Sequence, residues 1–283
     1  MSPAPIERFV TNRTGRRVHV ANWGDPNDPR TPLLCLSGYT RNSKDFAHFA
    51  ERMAPRRVVS LDYRGRGRSD YESDWRAYDP RSMVDDVRHV TIAVGLHRFV
   101  AIGTSMGGIL AMALGVAMPA ALVGVVLNDV GPSPTSGGAD YLIDYMGRDH
   151  PQPDWPSAVA ELQRMIPDLS LRGDDEWLTF ARNTFRLGDD GRLHVDWDPA
   201  VVKPLRRGTA RVTDLWPLFR SLHSIPVLAI RGGESMLLSA ETFDAMAAEH
   251  GRLRRVTVNG VGHAPTLDEP ILRQALDDFL AEL

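Results

Sequence analysis

Short apolar runs alternate with amphipathic stretches along the first half of the chain. Five runs are bounded by turn residues and have the length of strands: residues 17–23, 33–36, 58–62, 99–103 and 122–127. Between them, residues 82–96 and 106–118 carry apolar side chains at helical spacing. Repeated strand–helix–strand units predict a mostly parallel sheet with helices on both faces.

The strand pattern disappears in the middle of the chain and returns at residues 227–230 and 255–258. The middle stretch instead has helical spacing at residues 154–166, with Asp154 as a candidate N-cap, and at residues 174–187. We therefore predict an α/β core that is interrupted by a helical cap: residues 1–132 and 214–283 form the core, and residues 133–213 form the cap.

Composition and charge narrow the classes of function. A chain of 283 residues is long enough for one α/β domain with an insertion. Its net charge of -3 argues against a nucleic-acid partner, which usually binds a basic face. The single cysteine, Cys35, excludes an intramolecular disulfide and favours a cytoplasmic location.

The sequence also allows expectations about membranes and binding partners. No apolar run approaches the roughly 18 residues of a membrane span, and the first residues lack the apolar segment of a secretory signal. We expect a small-molecule substrate and neither a nucleic-acid nor a membrane partner. A homodimer is compatible with this composition.

Residues 103–107 read GTSMG and fit the G-x-S-x-G pattern of a nucleophile elbow. An apolar strand pattern precedes them and a helical pattern follows. In such an elbow the serine lies on a strained turn, where bulky side chains two positions away would clash. Ser105 is therefore the candidate nucleophile; the structural alternative is a serine in an ordinary glycine-flanked turn.

A base is expected late in the chain, and His263 fits best. It follows the last predicted strand, in the loop NGVGHAP; the alternative is a surface histidine in a turn. Two backbone amides should stabilise the oxyanion: that of Met106, after the nucleophile, and that of Tyr39, in the loop SGYT. The Tyr39 side chain could instead form a pocket wall. The histidines show no metal-ligand spacing, so neither a metal nor a cofactor is predicted.

Five motifs together resemble the serine α/β-hydrolase superfamily, and they span most of the chain: LSGYTRN at residues 36–42, DYRGRGRS at 62–69, GTSMGG at 103–108, LNDVGP at 127–132 and GHAP at 262–265. The resemblance implies an α/β-hydrolase fold with an eight-stranded, mostly parallel sheet, a helical cap and no cofactor. It leaves the substrate open, because the superfamily includes esterases, lactonases, carbon–carbon bond hydrolases, perhydrolases and ligand receptors.

The chain departs from this pattern at the triad acid. Relatives usually carry an aspartate in the loop after the strand at residues 227–230, but the corresponding position here is Met236. A thioether cannot stabilise an imidazolium ion. Two carboxylates could replace it: Asp129, at the end of the strand beside the nucleophile strand, and Glu234, on the same loop as Met236. We prefer Asp129, because some members of the superfamily take their acid from that strand; its structural alternative is a turn residue.

The sequence thus predicts a serine hydrolase of a small or medium carboxylic ester or lactone. Four residues are candidates for the substrate pocket: Arg41, Trp155, Trp177 and Met236. Three other activities remain open on the same residues. They are carbon–carbon bond hydrolysis, cofactor-free perhydrolysis, and ligand binding with weak activity. The third is suggested by the absence of an acid at Met236.

Overall fold

The computed structural model describes residues 4–133, 139–208 and 214–283. Its strands are, in chain order, β1 (Ile6–Thr11), β2 (Arg17–Trp23), β3 (Leu33–Leu36), β4 (Val58–Leu61), β5 (Phe99–Thr104), β6 (Leu122–Asn128), β7 (Phe185–Leu187), β8 (Leu193–Val195), β9 (Val227–Gly232) and β10 (Leu253–Val258). Eight of them form one sheet in the order β1-β2-β4-β3-β5-β6-β9-β10. Only the pairs β1–β2 and β2–β4 of this sheet are antiparallel, which confirms the predicted eight-stranded, mostly parallel sheet.

The helices of the described residues are α1 (Ala47–Met53), α2 (Pro80–Ala93), α3 (Met106–Ala117), α4 (Ala139–Met146), α5 (Trp155–Met165), α6 (Gly173–Thr184), α7 (Lys203–Arg206), α8 (Trp216–Arg220), α9 (Ala240–Glu249) and α10 (Pro270–Ala281). Successive side chains of β3 point to opposite faces of the sheet. Leu34 belongs to the core beneath α2, α3, α8 and α9, and Leu33 to the core beneath α1 and α10. The sheet is therefore covered by helices on both faces, as predicted.

Residues 139–208 contribute no strand to the main sheet. Helix α5 begins where the sequence predicts, since the Asp154 side chain accepts a hydrogen bond from the Ser157 amide at 2.9 Å. The predicted cap begins at residue 133, next to residues 134–138, and ends at residue 213, within residues 209–213. Both of these ranges lie outside the described residues.

The helix predicted at residues 174–187 was too long at its C-terminal end. Helix α6 ends at Thr184, and the next three residues form β7, which pairs antiparallel with β8. Gly191, at a φ of 77°, closes the turn between these strands. Helical and strand periodicity cannot be distinguished over three residues, so the sequence pattern did not reveal this hairpin.

Six further elements escaped the sequence pattern: β1, α1, α4, α7, α8 and α9. Strand β1 is an edge strand, and nearly all of its residues are exposed. Its sequence therefore lacks the apolar run that marks a buried strand. Across the described ranges, no helix has the length and apolar character needed to cross a bilayer.

Candidate active site

Ser105 lies in the sharp turn between β5 and α3, with φ 54° and ψ -119°. Its amide donates to the carbonyl of Asn128 on the neighbouring strand β6 at 3.0 Å. The flanking glycines allow the close packing of this turn. A Cβ atom at Gly107 would lie 2.0 Å from the carbonyl oxygen of Leu36, and one at Gly103 would lie 2.4 Å from the carbonyl oxygen of Gly107. The turn therefore has the backbone conformation and the close contacts expected of a nucleophile elbow.

We expect Gly107→Ala to lower the free energy of unfolding by about 3 kcal/mol, because the new methyl group meets rigid backbone rather than a movable side chain. Urea denaturation measures this change. Gly251→Ala is the matched control, since a Cβ atom there meets no atom within 4 Å and the residue is exposed. Equal stability of the two variants would contradict the close packing of the elbow.

His263 and Asp129 form a hydrogen-bonded pair, with Nδ1 of the imidazole 2.7 Å from Oδ2 of the carboxylate. The Asp129 side chain is fully buried, whereas the His263 side chain is 22% exposed. The second carboxylate oxygen, Oδ1, accepts a hydrogen bond from the amide of Gly232 at 2.9 Å. Both oxygens of the buried carboxylate are therefore satisfied, which buried polar groups require.

The loop after β9 carries Glu234, the second candidate for the triad acid, and Met236. Glu234 is exposed, and its amide rather than its carboxylate contacts the histidine loop, by donating to the carbonyl of Val261 at 2.9 Å. Met236 is 70% exposed. Strand β9 therefore supplies the Gly232 amide to the His263–Asp129 pair, and of the two candidate carboxylates Asp129 is the one bonded to His263.

Asn128 is a site residue that the sequence analysis did not single out. Its side chain is fully buried, and Nδ2 donates to Thr104 Oγ1 at 3.1 Å and to the carbonyl of Pro265 at 2.8 Å. It thus joins the loop that carries His263 to the residue before the nucleophile. A polar residue that ends an otherwise apolar strand was the available signal, because buried polar groups need partners.

The loop after β3 passes beside the nucleophile. A Cβ atom built on Gly38 would lie 3.9 Å from the Cβ atom of Ser105. Among the described residues, neither the Tyr39 amide nor the Met106 amide has a hydrogen-bond acceptor. Two backbone donors beside the serine are therefore available, as an oxyanion hole requires.

The rest of Tyr39 is held in place on both sides. Its carbonyl accepts a hydrogen bond from Arg66 Nε at 2.9 Å, and its hydroxyl donates to the carbonyl of Val201 at 2.8 Å. Burial raises the pKa of the Tyr39 phenol, so the hydroxyl stays protonated as a donor. Arg66 is fully buried behind this loop. The glycine- and arginine-rich segment at residues 62–69 thus supports the loop after β3.

The guanidinium of Arg41, one of the four pocket candidates, is bonded to side chains of the protein. Its Nε and Nη2 atoms donate to Asp45 at 2.7 and 2.5 Å, and its Nη1 atom donates to Thr184 Oγ1 at 2.5 Å. The guanidinium also lies 4.1 Å from the centre of the Phe180 ring. All three guanidinium nitrogens therefore have protein partners.

The remaining pocket candidates differ in exposure. Trp177 is only 8% exposed and packs edge-on against Phe180, with the ring centres 6.2 Å apart. Trp155 is half-buried, and the guanidinium of Arg182 lies 5.9 Å from its ring centre. Trp177 therefore belongs to the packed interior of the inserted segment, whereas Met236 is 70% exposed.

Metal ligands do not cluster in the part of the chain that the structure describes: no three side chains of His, Cys, Asp or Glu there are close enough to hold an ion. Cys35 is buried in β3, and burial raises the pKa of its thiol.

Comparisons with known proteins agree with this geometry. The sequence model of the Alpha/beta hydrolase family matches residues 33–275. The 3-hydroxybutyrate-oligomer hydrolase of Cupriavidus necator is 31% identical over 279 residues, which are 95% of this chain and 92% of that protein. A crystal structure of an alpha/beta hydrolase from Novosphingobium aromaticivorans is 38% identical, covers 100% of both chains and superposes with a TM-score of 0.92. The structure of E-2-(acetamidomethylene)succinate hydrolase is 23% identical, covers 98% of this chain and 99% of its own, and shares the fold with a TM-score of 0.83.

Proposed function

This chain belongs to the alpha/beta hydrolase family, and on that premise we propose that it is a serine hydrolase that cleaves carboxylic esters through an acyl-enzyme on Ser105. The observation that carries the proposal is the 2.7 Å hydrogen bond between His263 and the buried carboxylate of Asp129, on the strand next to the one that ends at Ser105. A buried carboxylate paired with a partly exposed imidazole beside a serine elbow is the arrangement that such chemistry needs.

In the proposed first step, Nε2 of His263 removes the Ser105 proton as the serine oxygen attacks the ester carbonyl. Because Asp129 bonds to Nδ1, it holds the tautomer that leaves Nε2 free to act as a base. It also stabilises the imidazolium that forms. The proton then passes to the leaving alcohol, and water activated by His263 releases the acid from Ser105.

Negative charge develops on the carbonyl oxygen during both steps. We assign its stabilisation to the amides of Met106 and Tyr39, which flank the serine and have no other acceptor among the described residues. Loss of one such donor costs about 10²- to 10³-fold in kcat in related chemistry. The support of the Tyr39 carbonyl by Arg66 keeps the second donor in place.

We propose that residues 133–213 form a cap over this site and select the substrate. Tyr39 hydrogen-bonds to Val201, and Arg41 to Thr184, so the inserted segment contacts the loop beside the nucleophile directly. A cap that packs so closely on the catalytic edge of the sheet favours small or medium substrates of largely apolar character.

The cap tryptophans are expected to differ in what they control. Because Trp177 is packed in the cap interior, Trp177→Ala should lower the free energy of unfolding by about 3 kcal/mol and leave the ranking of ester chain lengths unchanged. Trp155→Ala, at a half-buried ring, should change that ranking. Urea denaturation and kcat/KM for p-nitrophenyl esters of increasing length measure the two effects. A changed ranking in Trp177→Ala alone would reverse this assignment.

A narrower candidate is the hydrolysis of short oligoesters of hydroxy acids. It is favoured by the similarity to the 3-hydroxybutyrate-oligomer hydrolase, which extends over 95% of this chain. Such oligomers contain the ester bond that the proposed mechanism cleaves, and each has an apolar methyl group per unit. The fold alone would not support this choice, because one fold carries many activities.

A substrate panel tests the proposal. It contains p-nitrophenyl acetate to octanoate, a lactone, a thioester, and the dimer and trimer of 3-hydroxybutyrate. We expect turnover of short p-nitrophenyl esters, and faster cleavage of the oligomers if the narrower candidate is correct. Peroxide-dependent bromination of monochlorodimedone would indicate a perhydrolase instead. Inactivity on every substrate, with no labelling of Ser105 by a fluorophosphonate, would contradict the hydrolase assignment.

A further inference from the structure

The loop at residues 37–46, which follows β3 and carries the Tyr39 amide, is bonded to the C-terminal end of cap helix α6. Two of its side chains reach across: Arg41 donates to Thr184 Oγ1 at 2.5 Å, and Asn42 Nδ2 donates to the carbonyl of Asn183 at 3.0 Å. In the other direction, Asn183 Nδ2 donates to Asp45 at 3.2 Å. The loop beside the nucleophile is therefore held by the cap as well as by the core.

The segment that precedes α6 is bonded to the loop that carries His263 and to the start of α10. The carbonyl of Asp168, five residues before the helix, accepts a hydrogen bond from the amide of Gly262 at 2.8 Å. Ser170 Oγ donates to the buried carboxylate of Glu269, which also accepts from the amide of Thr266 at 2.8 Å. One continuous stretch of the cap, residues 168–184, thus contacts both loops that the proposed chemistry needs.

Helix α6 is about 18 Å long, because each of its 12 residues adds about 1.5 Å. A segment that is bonded just before this helix to the base loop, and at the helix C-terminus to the oxyanion loop, limits how far those loops can move apart. Displacement of a catalytic group by 1 Å can cost about 10²-fold in rate, so such a limit matters for catalysis.

We propose that residues 168–184 set the separation between His263 and the oxyanion donors, and that Arg41 is the positioning residue at the oxyanion end. Arg41 closes the turn that presents the Tyr39 amide, since its own amide donates to the carbonyl of Gly38 at 3.2 Å. Its side chain fastens that turn to Thr184 and Phe180 of the cap. The inference rests on the proposed function of Ser105.

Arg41→Lys tests the oxyanion end. Lysine keeps the charge but lacks the planar fork, so it cannot reproduce the two parallel hydrogen bonds to Asp45 together with the contact to Thr184, nor stack on Phe180 as the guanidinium does. The matched control is Arg52→Lys on α1. The Arg52 side chain is also 16% exposed, pairs with Asp277 at 3.0 Å and lies 5.3 Å from the centre of the Phe49 ring. The two variants therefore undergo the same chemical change in similar surroundings.

The readout is the rate at which a fluorophosphonate modifies Ser105, measured at a temperature where circular dichroism shows each variant fully folded. This reaction places a phosphoryl oxygen in the oxyanion hole and needs no known substrate. We expect Arg41→Lys to react about 10- to 100-fold more slowly than the wild type and Arg52→Lys to react at the wild-type rate. With an ester substrate, the loss should lie in kcat rather than in KM.

Two cap variants test whether Arg41 acts through α6. Thr184→Val removes the acceptor of the Arg41 hydrogen bond at nearly constant volume. The double variant with Arg41→Lys should react within about 2-fold of Arg41→Lys alone, since coupled changes are not additive. Ser170→Ala, at the other end, should slow the reaction at least about 3-fold.

Three results would overturn the inference. Arg41→Lys could react as fast as Arg52→Lys, or the effects of Arg41→Lys and Thr184→Val could multiply fully in the double variant. Ser170→Ala could also match the wild type. If the wild-type enzyme is not modified at Ser105 at all, the proposed function fails, and this inference fails with it. If the wild type is modified but one of the three results above is found, only this inference fails.

Discussion

Ser105→Ala is expected to lower the kcat for ester hydrolysis by about 10⁵- to 10⁶-fold, because the acyl-enzyme can no longer form and the members of a triad act as a unit. The substitution itself should be tolerated. Ser105 is half-buried, and alanine retains the Cβ atom while removing a hydroxyl that has no partner among the described side chains. The remaining activity should come from the oxyanion amides and from substrate binding alone.

Two measurements check this expectation. Steady-state kinetics with p-nitrophenyl acetate give the loss in kcat, and mass spectrometry after fluorophosphonate treatment identifies the modified residue. The wild type should carry one adduct, on Ser105, and the variant none. Ser235→Ala is a suitable control, because this serine lies on the loop after β9 and its hydroxyl accepts hydrogen bonds from the Leu237 and Leu238 amides at 3.2 and 3.3 Å. A fully active Ser105→Ala enzyme, or an adduct on another serine, would refute the proposed nucleophile.

Asp129→Asn is expected to lower kcat by about 10³- to 10⁴-fold, the scale found when the acid of a serine triad becomes an amide. The amide can no longer stabilise an imidazolium, and its NH₂ group would favour the wrong tautomer of His263. The loss should fall mainly on kcat, because Asp129 is fully buried and contacts His263 and the Gly232 amide rather than the substrate.

Glu234→Gln is the matched control for this change. Glu234 stands on the neighbouring loop, its side chain is exposed, and no described residue bonds its carboxylate. We expect its kcat to stay within about 2-fold of the wild type, as is usual for surface substitutions. Equal thermal melting temperatures of the two variants would exclude unfolding as the cause of a difference. A severe loss in Glu234→Gln with a nearly silent Asp129→Asn would assign the acid to Glu234 instead.

Asp129 directly follows β6, and Met236 stands on the loop after the neighbouring strand β9. Strand β9 lies beside β6 in the sheet, and the Asp129 amide donates to the carbonyl of Ile230 on β9 at 2.9 Å. The Asp129 side chain therefore occupies the space between the two strand ends, and the Gly232 amide binds its second oxygen. Met236, on the loop after β9, is 70% exposed.

The sequence by itself determined the features that depend on neighbouring residues. The elbow at residues 103–107 was recognised because strand, glycine, serine and helix follow one another directly, and the Asp154 cap was recognised because a cap and its helix are contiguous. Seven of the eight strands of the main sheet followed from repeated apolar runs, since each buried strand needs its own apolar side chains, whereas the number eight was implied only by the family resemblance. The absence of a carboxylate at Met236 was also visible from the sequence.

The tertiary structure alone decided the features that depend on residues far apart in the chain. His263 and Asp129 are 134 positions apart; the sequence analysis preferred Asp129, but the hydrogen bond between the two side chains depends on how the loops after β6 and β10 meet. Arg41 changed from a pocket candidate to a link between loop and cap, because its partner Thr184 lies 143 positions away. Side-chain hydrogen bonds of this kind leave no periodic pattern in the sequence, since they are fixed by the packing of elements and not by the spacing of residues.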